Sequence, residues 1–264
     1  LADGIRFSTR PDTIDHPRLD LIRKFPVATI ELGVQSMDDH VLALSGRGHS
    51  RADSIGAVQL LKANNYEVGV QLMVGLPGDT PAVALETARQ VRDLKPDFVR
   101  IYPTVVLAGS LLARWYQNGR YIPLSLEDAV HQVKDLYLLF KNSGIRIIRM
   151  GLQASKDLEN GSSILAGPYH PAFGHLVYSE IFLTAVQSVL TRAQFSKDRI
   201  SIRVHPVSVS KMRGLNNSNL DKLKRAFGLK SVAIGADSAL ANDLVRLNDD
   251  PPFSIYPNYR IFPA

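Results

Sequence analysis

Three neighbouring strand-like stretches, each with one apolar and one polar side, constrain this chain more than any other feature. Over 28–36, Ile30, Leu32 and Val34 alternate with Thr29, Glu31, Gly33 and Gln35. Further on, Val68, Val70, Leu72 and Val74 oppose Gly69, Gln71, Met73 and Gly75, and Val99 and Ile101 oppose Arg100 and Tyr102. Successive side chains of a strand point to opposite faces, and a parallel strand covered by helices on both sides reads apolar throughout. The polar faces are therefore expected to line a lumen that holds a ligand. A partly exposed edge of an ordinary α/β sheet is the competing reading.

Helical patterns separate these strands. Strands are expected over 4–9, 28–34, 67–74, 97–103 and 145–152, with helices over 51–64, 81–94 and 126–141. Ser50 with Asp53 three residues on resembles a capping box. Thr80 followed by Pro81 places a proline at the first helical position, where its missing N–H costs nothing. Strand, helix, strand at this spacing means right-handed crossovers and a parallel sheet, so the fold class is α/β. A linker or a long loop rich in Ser, Asp and Asn is read over 154–167. Beyond it, helices over 173–190 and 220–227 and strands over 200–204 and 231–234 make a small α/β extension. The domain reading is a partial parallel βα barrel over 1–153 and a C-terminal α/β extension over 154–264, whose tail, Pro251 to Ala264 with Phe253, Tyr256, Tyr259 and Phe262, is expected to pack back on a domain.

Composition narrows the function classes. The 264 residues contain no cysteine, which excludes disulfides, thiolate metal sites and cysteine nucleophiles from these residues. No apolar run reads as long enough to span a bilayer, no signal peptide is visible, and a cytoplasmic protein without a membrane partner is expected. A net charge of +6 raises the local concentration of polyanions such as RNA.

The residues with chemical potential sit where strands end: Gln35-Ser36, then Gly46-Arg47-Gly48-His49, then Gly75-Leu76-Pro77-Gly78-Asp79-Thr80. In βα barrels the C-terminal strand ends converge on one mouth. Arg47 offers a planar fork for a carboxylate, and Gln35 and Gln71 offer amides to a ribose or carboxylate. Taken together, Glu-Leu-Gly-Val-Gln-Ser, Gly-Arg-Gly-His and Gly-Leu-Pro-Gly-Asp-Thr resemble the radical S-adenosylmethionine proteins. The likeness is strongest to the Elongator catalytic subunit and its bacterial relatives, and extends further off to oxygen-independent coproporphyrinogen oxidase. Ser8-Thr9-Arg10-Pro11-Asp12 is similar to the Thr-Arg-Pro-Asp turn of the Elongator branch, and the stretch from Gly167 to Gly174 resembles the C-terminal extension of its bacterial members.

The resemblance implies that Gln35 and Ser36 contact the ribose or methionine part of the cofactor. It places Arg47 near the cofactor carboxylate, Gln71 on the ribose side, and Gly75-Leu76-Pro77 as the backbone against which adenine lies. Ser8 stands where an acid binding the cofactor amino group is usual, which leaves that contact open. Arg100, Tyr102 and Arg149 are read as substrate contacts or as lumen filling by internal ion pairing.

The resemblance also implies a 4Fe–4S cluster on three cysteines that these residues lack. The chain is accordingly expected to start mid-fold, short of two βα units of roughly 30 residues each. The first functional expectation is a fragment of a radical enzyme that generates a 5′-deoxyadenosyl radical in its intact parent, acts on tRNA, needs an electron donor and is inactive as this fragment. The second is a non-catalytic nucleotide or RNA binder using the basic residues Lys211, Arg213, Lys222, Lys224, Arg225 and Lys230. The third, a metal-dependent hydrolase on His170, His175 and His205, fits known metal spacings poorly. Substrate, donor identity and oligomeric state are not encoded legibly.

Overall fold

The computed structural model of the chain describes residues 4–153 and 163–256. Five strands, β1 (Ile5–Thr9), β2 (Val27–Gln35), β3 (Glu67–Val74), β4 (Phe98–Pro103) and β6 (Arg146–Met150), form one all-parallel sheet in the order β1-β2-β3-β4-β6. Strand order that follows the chain marks a barrel wall; a doubly wound sheet reverses direction at a switch point. The α/β partial-barrel reading therefore stands. A short β5 (Val106–Leu107) pairs antiparallel with β7 (Ile164–Ala166) beside it.

The helices pack on the apolar face. Ile30, Leu32, Val34, Val68, Val70, Leu72, Val74, Val99 and Ile101 are all fully buried. They lie under α3 (Arg51–Ala63), α4 (Pro81–Asp93) and α6 (Leu126–Asn142), which supply Val58, Leu61, Ala88, Val91, Val133 and Phe140. The predicted capping box is present, with Ser50 Oγ accepting from Asp53 N and Asp53 Oδ2 accepting from Ser50 N. Thr80 caps α4 ahead of Pro81 as expected. Short helices over His16–Ile22, Asp39–Leu44 and Leu111–Gln117 escaped the sequence reading. Each spans two turns or fewer, too short for a 3.6-residue period to declare itself.

The described chain divides into two compact units, the first ending at Phe173 and the second beginning at Gly174. Residues 164–166, assigned from sequence to the linker, belong to the first unit because β7 hydrogen-bonds to β5. Residues 154–162 and the part of the aromatic tail over 257–264 lie outside the described residues. In the second unit β8 (Arg199–Val204) pairs parallel with β9 (Ser231–Ala236) and antiparallel with β10 (Leu244–Leu247), which in turn pairs with β11 (Phe253–Ser254). Its long helix, Phe173–Arg192, is long and apolar enough to cross a membrane by length and composition, contrary to the expectation from sequence. Half of that apolar window is buried within the protein, including Val177, Ile181, Phe182, Val186 and Leu190.

Candidate functional site

The polar face of the barrel sheet is organised in rows set by the strand register. One row runs Ser8, Glu31, Gly69, Phe98, Arg146, and the next holds Gln71, Arg100 and Arg149. Glu31 is 3% exposed although it carries a carboxylate, so its charge must be compensated locally. Arg6 Nε donates to Oε1 at 2.6 Å, Arg100 Nε stands 2.9 Å from Oε2, and Gln71 Nε2 donates to Oε2 at 3.1 Å. The Arg100 Nε–H is not aligned on that oxygen, so the contact is an ion pair rather than a formed hydrogen bond. Gln71 Nε2 also reaches Ser8 Oγ at 3.1 Å. The Phe98 ring covers Gly69, whose missing side chain leaves room for it, and Arg6 lies over the ring at 4.6 Å. These residues fill the floor of the lumen.

Loops at the C-terminal strand ends build the mouth. Arg10 grips Asp12 through two hydrogen bonds of 2.9 and 2.6 Å, holding its carboxyl below the usual carboxylate range, and also donates to the Gly48 carbonyl at 3.1 Å. Gly48 has φ +72, and a Cβ there would press on the Arg10 guanidinium at 3.0 Å. A further bond joins His49 Nε2 and the Val34 carbonyl at 3.1 Å. With both flanks of the loop tied down, Arg47 is set over the sheet end. Its Nη2 lies 2.7 Å from Met73 Sδ, its Nε is buried without a hydrogen-bond partner, and burial pulls its pKa down. It lines a cavity of about 200 Å³ together with Met73, Leu76, Pro77, Thr104 and Trp115.

The Gly75–Thr80 turn separates this cavity from a larger one of about 520 Å³ lined by Asp79, Trp115, Arg120, Tyr121, Ile122 and Leu124 among others. Gly75 has φ +76 and Leu124 Cδ1 would stand 2.7 Å from a Cβ there, so only glycine fits. Tyr121 donates its hydroxyl to the Gly75 carbonyl at 2.6 Å, and its pKa is pushed up to about 12 by burial and then by Asp79. Asp79 Oδ2 accepts from Gly75 N at 2.9 Å while Oδ1 is buried without a partner. Burial raises the Asp79 pKa to about 6, opposed by the amides of Gly75 and Thr80.

Because the folded value exceeds the ordinary 3.8, the contribution of Asp79 to stability is complete below pH 4 and is lost as pH rises through 6. Asp79→Asn is accordingly expected to remove about 2 kcal/mol of that pH dependence, after discounting for partial solvent screening. Urea unfolding of both proteins from pH 4 to pH 7.5 checks this; parallel stability curves would contradict it.

Two family models match the chain, that of the radical SAM superfamily over residues 2–91 and that of the Radical SAM C-terminal domain over residues 96–182. This chain belongs to the radical SAM superfamily. Among similar proteins is the tRNA uridine(34) acetyltransferase of Dehalococcoides mccartyi, 36% identical over 46% of this chain and 27% of that protein. Elongator complex protein 3 of Saccharomyces cerevisiae is 30% identical over 52% of this chain and 25% of its own length. The chain thus spans about a quarter of these relatives. Among solved structures, the archaeal Methanocaldococcus infernus Elp3 with an N-terminal deletion superposes with TM-score 0.61 at 26% identity, covering 78% of this chain and 46% of that one.

The expected cofactor residues fall in several places on the sheet and its loops. Arg47 lines the smaller cavity with Leu76 and Pro77, and the larger cavity is lined by Gly75, Leu76 and Pro77 beside Tyr121 and Leu124. Gln71 and Ser8 are committed to the Glu31 network on the lumen floor. Gln35 ends β2 at φ +67 and folds its amide back over Gly33. Ser36 is buried on the helix side, its Oγ accepting from Asp38 N at 3.1 Å and lying 3.3 Å from Thr87 Oγ1. Of the residues read as substrate contacts, Arg100 and Tyr102 bond one another at 3.2 Å, and Arg149 donates to Gln153 Oε1 at 2.7 Å. The histidines of the hydrolase reading act locally, His170 Nδ1 accepting from Ala172 N and His205 Nδ1 from Val207 N.

The fit of the cofactors differs between the two. A half-buried guanidinium with an orphaned Nε and no carboxylate contact, beside an apolar wall, suits the carboxylate end of S-adenosylmethionine. The 4Fe–4S cluster does not fit these residues. None of the 264 is cysteine, and among the described residues no group of His, Cys, Asp or Glu could hold a metal.

Proposed function

We propose that this chain is the S-adenosylmethionine-binding part of a radical enzyme that acts on tRNA, with the cluster thiolates supplied by residues outside these 264. The observation that carries the cofactor reading is Arg47, a cation without a carboxylate contact among the described residues, set over Met73 at the mouth of the parallel sheet. Its guanidinium takes the cofactor carboxylate, while Leu76 and Pro77 present a flat apolar wall to the adenosyl portion. The tRNA reading is supported by two relatives whose names place them in tRNA uridine modification and in the Elongator complex. Arg100, Tyr102 and Arg149 face the substrate side of the lumen. When bound beside a reduced cluster, S-adenosylmethionine supplies a 5′-deoxyadenosyl radical for hydrogen abstraction; with no cysteine, this chain alone performs no such step. An electron donor and a cytoplasmic setting belong to the same reading. The acetyl transfer named for one relative is not carried over.

Thermal unfolding with added ligands separates this reading from that of a general nucleotide binder. S-adenosylmethionine and S-adenosylhomocysteine at about 100 times their Kd are expected to stabilise the chain by about 2.7 kcal/mol, and ATP at the same concentration to leave the midpoint unchanged. An equal response to ATP would support the non-catalytic nucleotide-binding alternative instead.

A further inference from the structure

The positive charge of this chain is concentrated in one supersecondary unit. Residues 199–236 hold eight Lys and Arg against one Asp, a net of +7, while the whole chain carries +6. The rest of the molecule is therefore close to neutral. Both family models end before this segment, at residues 91 and 182.

The unit runs β8, helix Val209–Arg213, a tight turn over 214–217, helix Ser218–Phe227, and β9, with β8 and β9 adjacent and parallel. The turn is built rather than loose. Gly214 has φ +73, and a Cβ there would collide with Ser218 Oγ at 2.6 Å and Asn219 Oδ1 at 2.9 Å. Asn216 and Asn217 follow at φ +51 and +63, a region Asn enters more readily than most residues. Buried Asn219 fixes the second helix by donating to the Ser179 carbonyl and to Ser179 Oγ, each at 3.0 Å. Arg213 lies over the turn, its Nη1 donating to Asn217 Oδ1 at 3.1 Å. Leu215, Asn216 and Asn217 stay exposed at the tip.

A glycine-led turn between two helices is the device with which KH modules clamp about four nucleotides of single-stranded RNA by their backbone. Here the fourth position is Asn217 instead of glycine, held in the conformation that glycine favours. Lys211 and Arg213 precede the turn, and Lys224 and Arg225 follow on the second helix, with Asp221 the single acid in the whole unit. From this charge complementarity and this turn we infer that the second unit holds single-stranded RNA, gripping the phosphate backbone at residues 214–217. The inference deepens the tRNA reading, and it is independent of the Arg47 site.

Fluorescence anisotropy with a labelled, mixed-sequence single-stranded RNA of about a dozen nucleotides tests it on the whole chain. Binding should weaken steeply with salt as phosphate contacts are lost. The pair Leu215→Asp and Asn216→Asp should weaken it about tenfold or more, with the response to S-adenosylmethionine unchanged. Arg199→Glu with Arg203→Glu, on the exposed face of β8 away from its buried Ile200 and Ile202, should cost less than about threefold. If far-UV dichroism shows that the turn variant has lost its fold, Lys224→Glu with Arg225→Glu carries the same expectation. No RNA binding, binding insensitive to salt, or equal loss from both faces would overturn the inference. An unchanged S-adenosylmethionine response beside absent RNA binding would sink this inference alone.

Discussion

Glu31→Ala is expected to destabilise the first unit by about 3 kcal/mol, the lower end of what breaking a buried ion pair costs. The carboxylate sits between Arg6 and Arg100, whose side chains are 40% and 23% exposed against 4% for Glu31. Removing it leaves Arg6 and Arg100, both partly exposed, without the carboxylate they share. Gln71 loses an acceptor in the same step, and Arg6 loses the contact that holds it over the Phe98 ring. Glu31→Gln keeps a carbonyl acceptor without the charge and is expected to cost about half as much. Trp115 is the single tryptophan of the chain and lies in the first unit, so its fluorescence in urea isolates the relevant transition. A loss below about 1 kcal/mol for Glu31→Ala, against that expected from the buried pair, would mean that the floor is solvated and open.

The polar strand face was legible because alternation is local: period two, read over eight residues, assigns every side chain of β3 to its face. The role of Glu31 was not, since its partners Arg6 and Gln71 stand 25 and 40 residues away. Only a fixed register brings such residues together. The position of Ser36 follows the same alternation, which puts it on the side of Ile30, Leu32 and Val34. Gln35 leaves the strand at φ +67, and the β2–β3 register shifts between Leu32 and Gln35. Asp79 stands in the sequence as one member of the Gly75–Thr80 run, with nothing local to mark it. Its buried, unpartnered Oδ1 depends on Tyr121 and Leu124 of a segment that has no periodicity to read. The helix–turn–helix of the second unit hid for a similar reason: its first helix has only five residues.

Arg47→Ala carries the largest expected effect on binding. Its guanidinium is already half desolvated, and no carboxylate among the described residues meets it, so a ligand carboxylate gains a charge-assisted bond at a reduced cost in burying the cation. Losing a hydrogen bond to a charged group at such a site costs roughly 1.5–3 kcal/mol, which corresponds to about a tenfold to hundredfold loss of affinity. Arg47→Lys retains the charge without the planar fork and should recover only part of it. Asp79→Asn, on the other side of the Gly75–Thr80 turn, should leave the affinity within about threefold.

Isothermal titration of S-adenosylmethionine into the whole chain and into Arg47→Ala tests the cofactor site most directly. The site described here predicts one ligand per chain and at least tenfold weaker binding by the variant, whose fold is confirmed by an unchanged Trp115 unfolding curve. Equal affinity in the two proteins, or no binding to either, would contradict it.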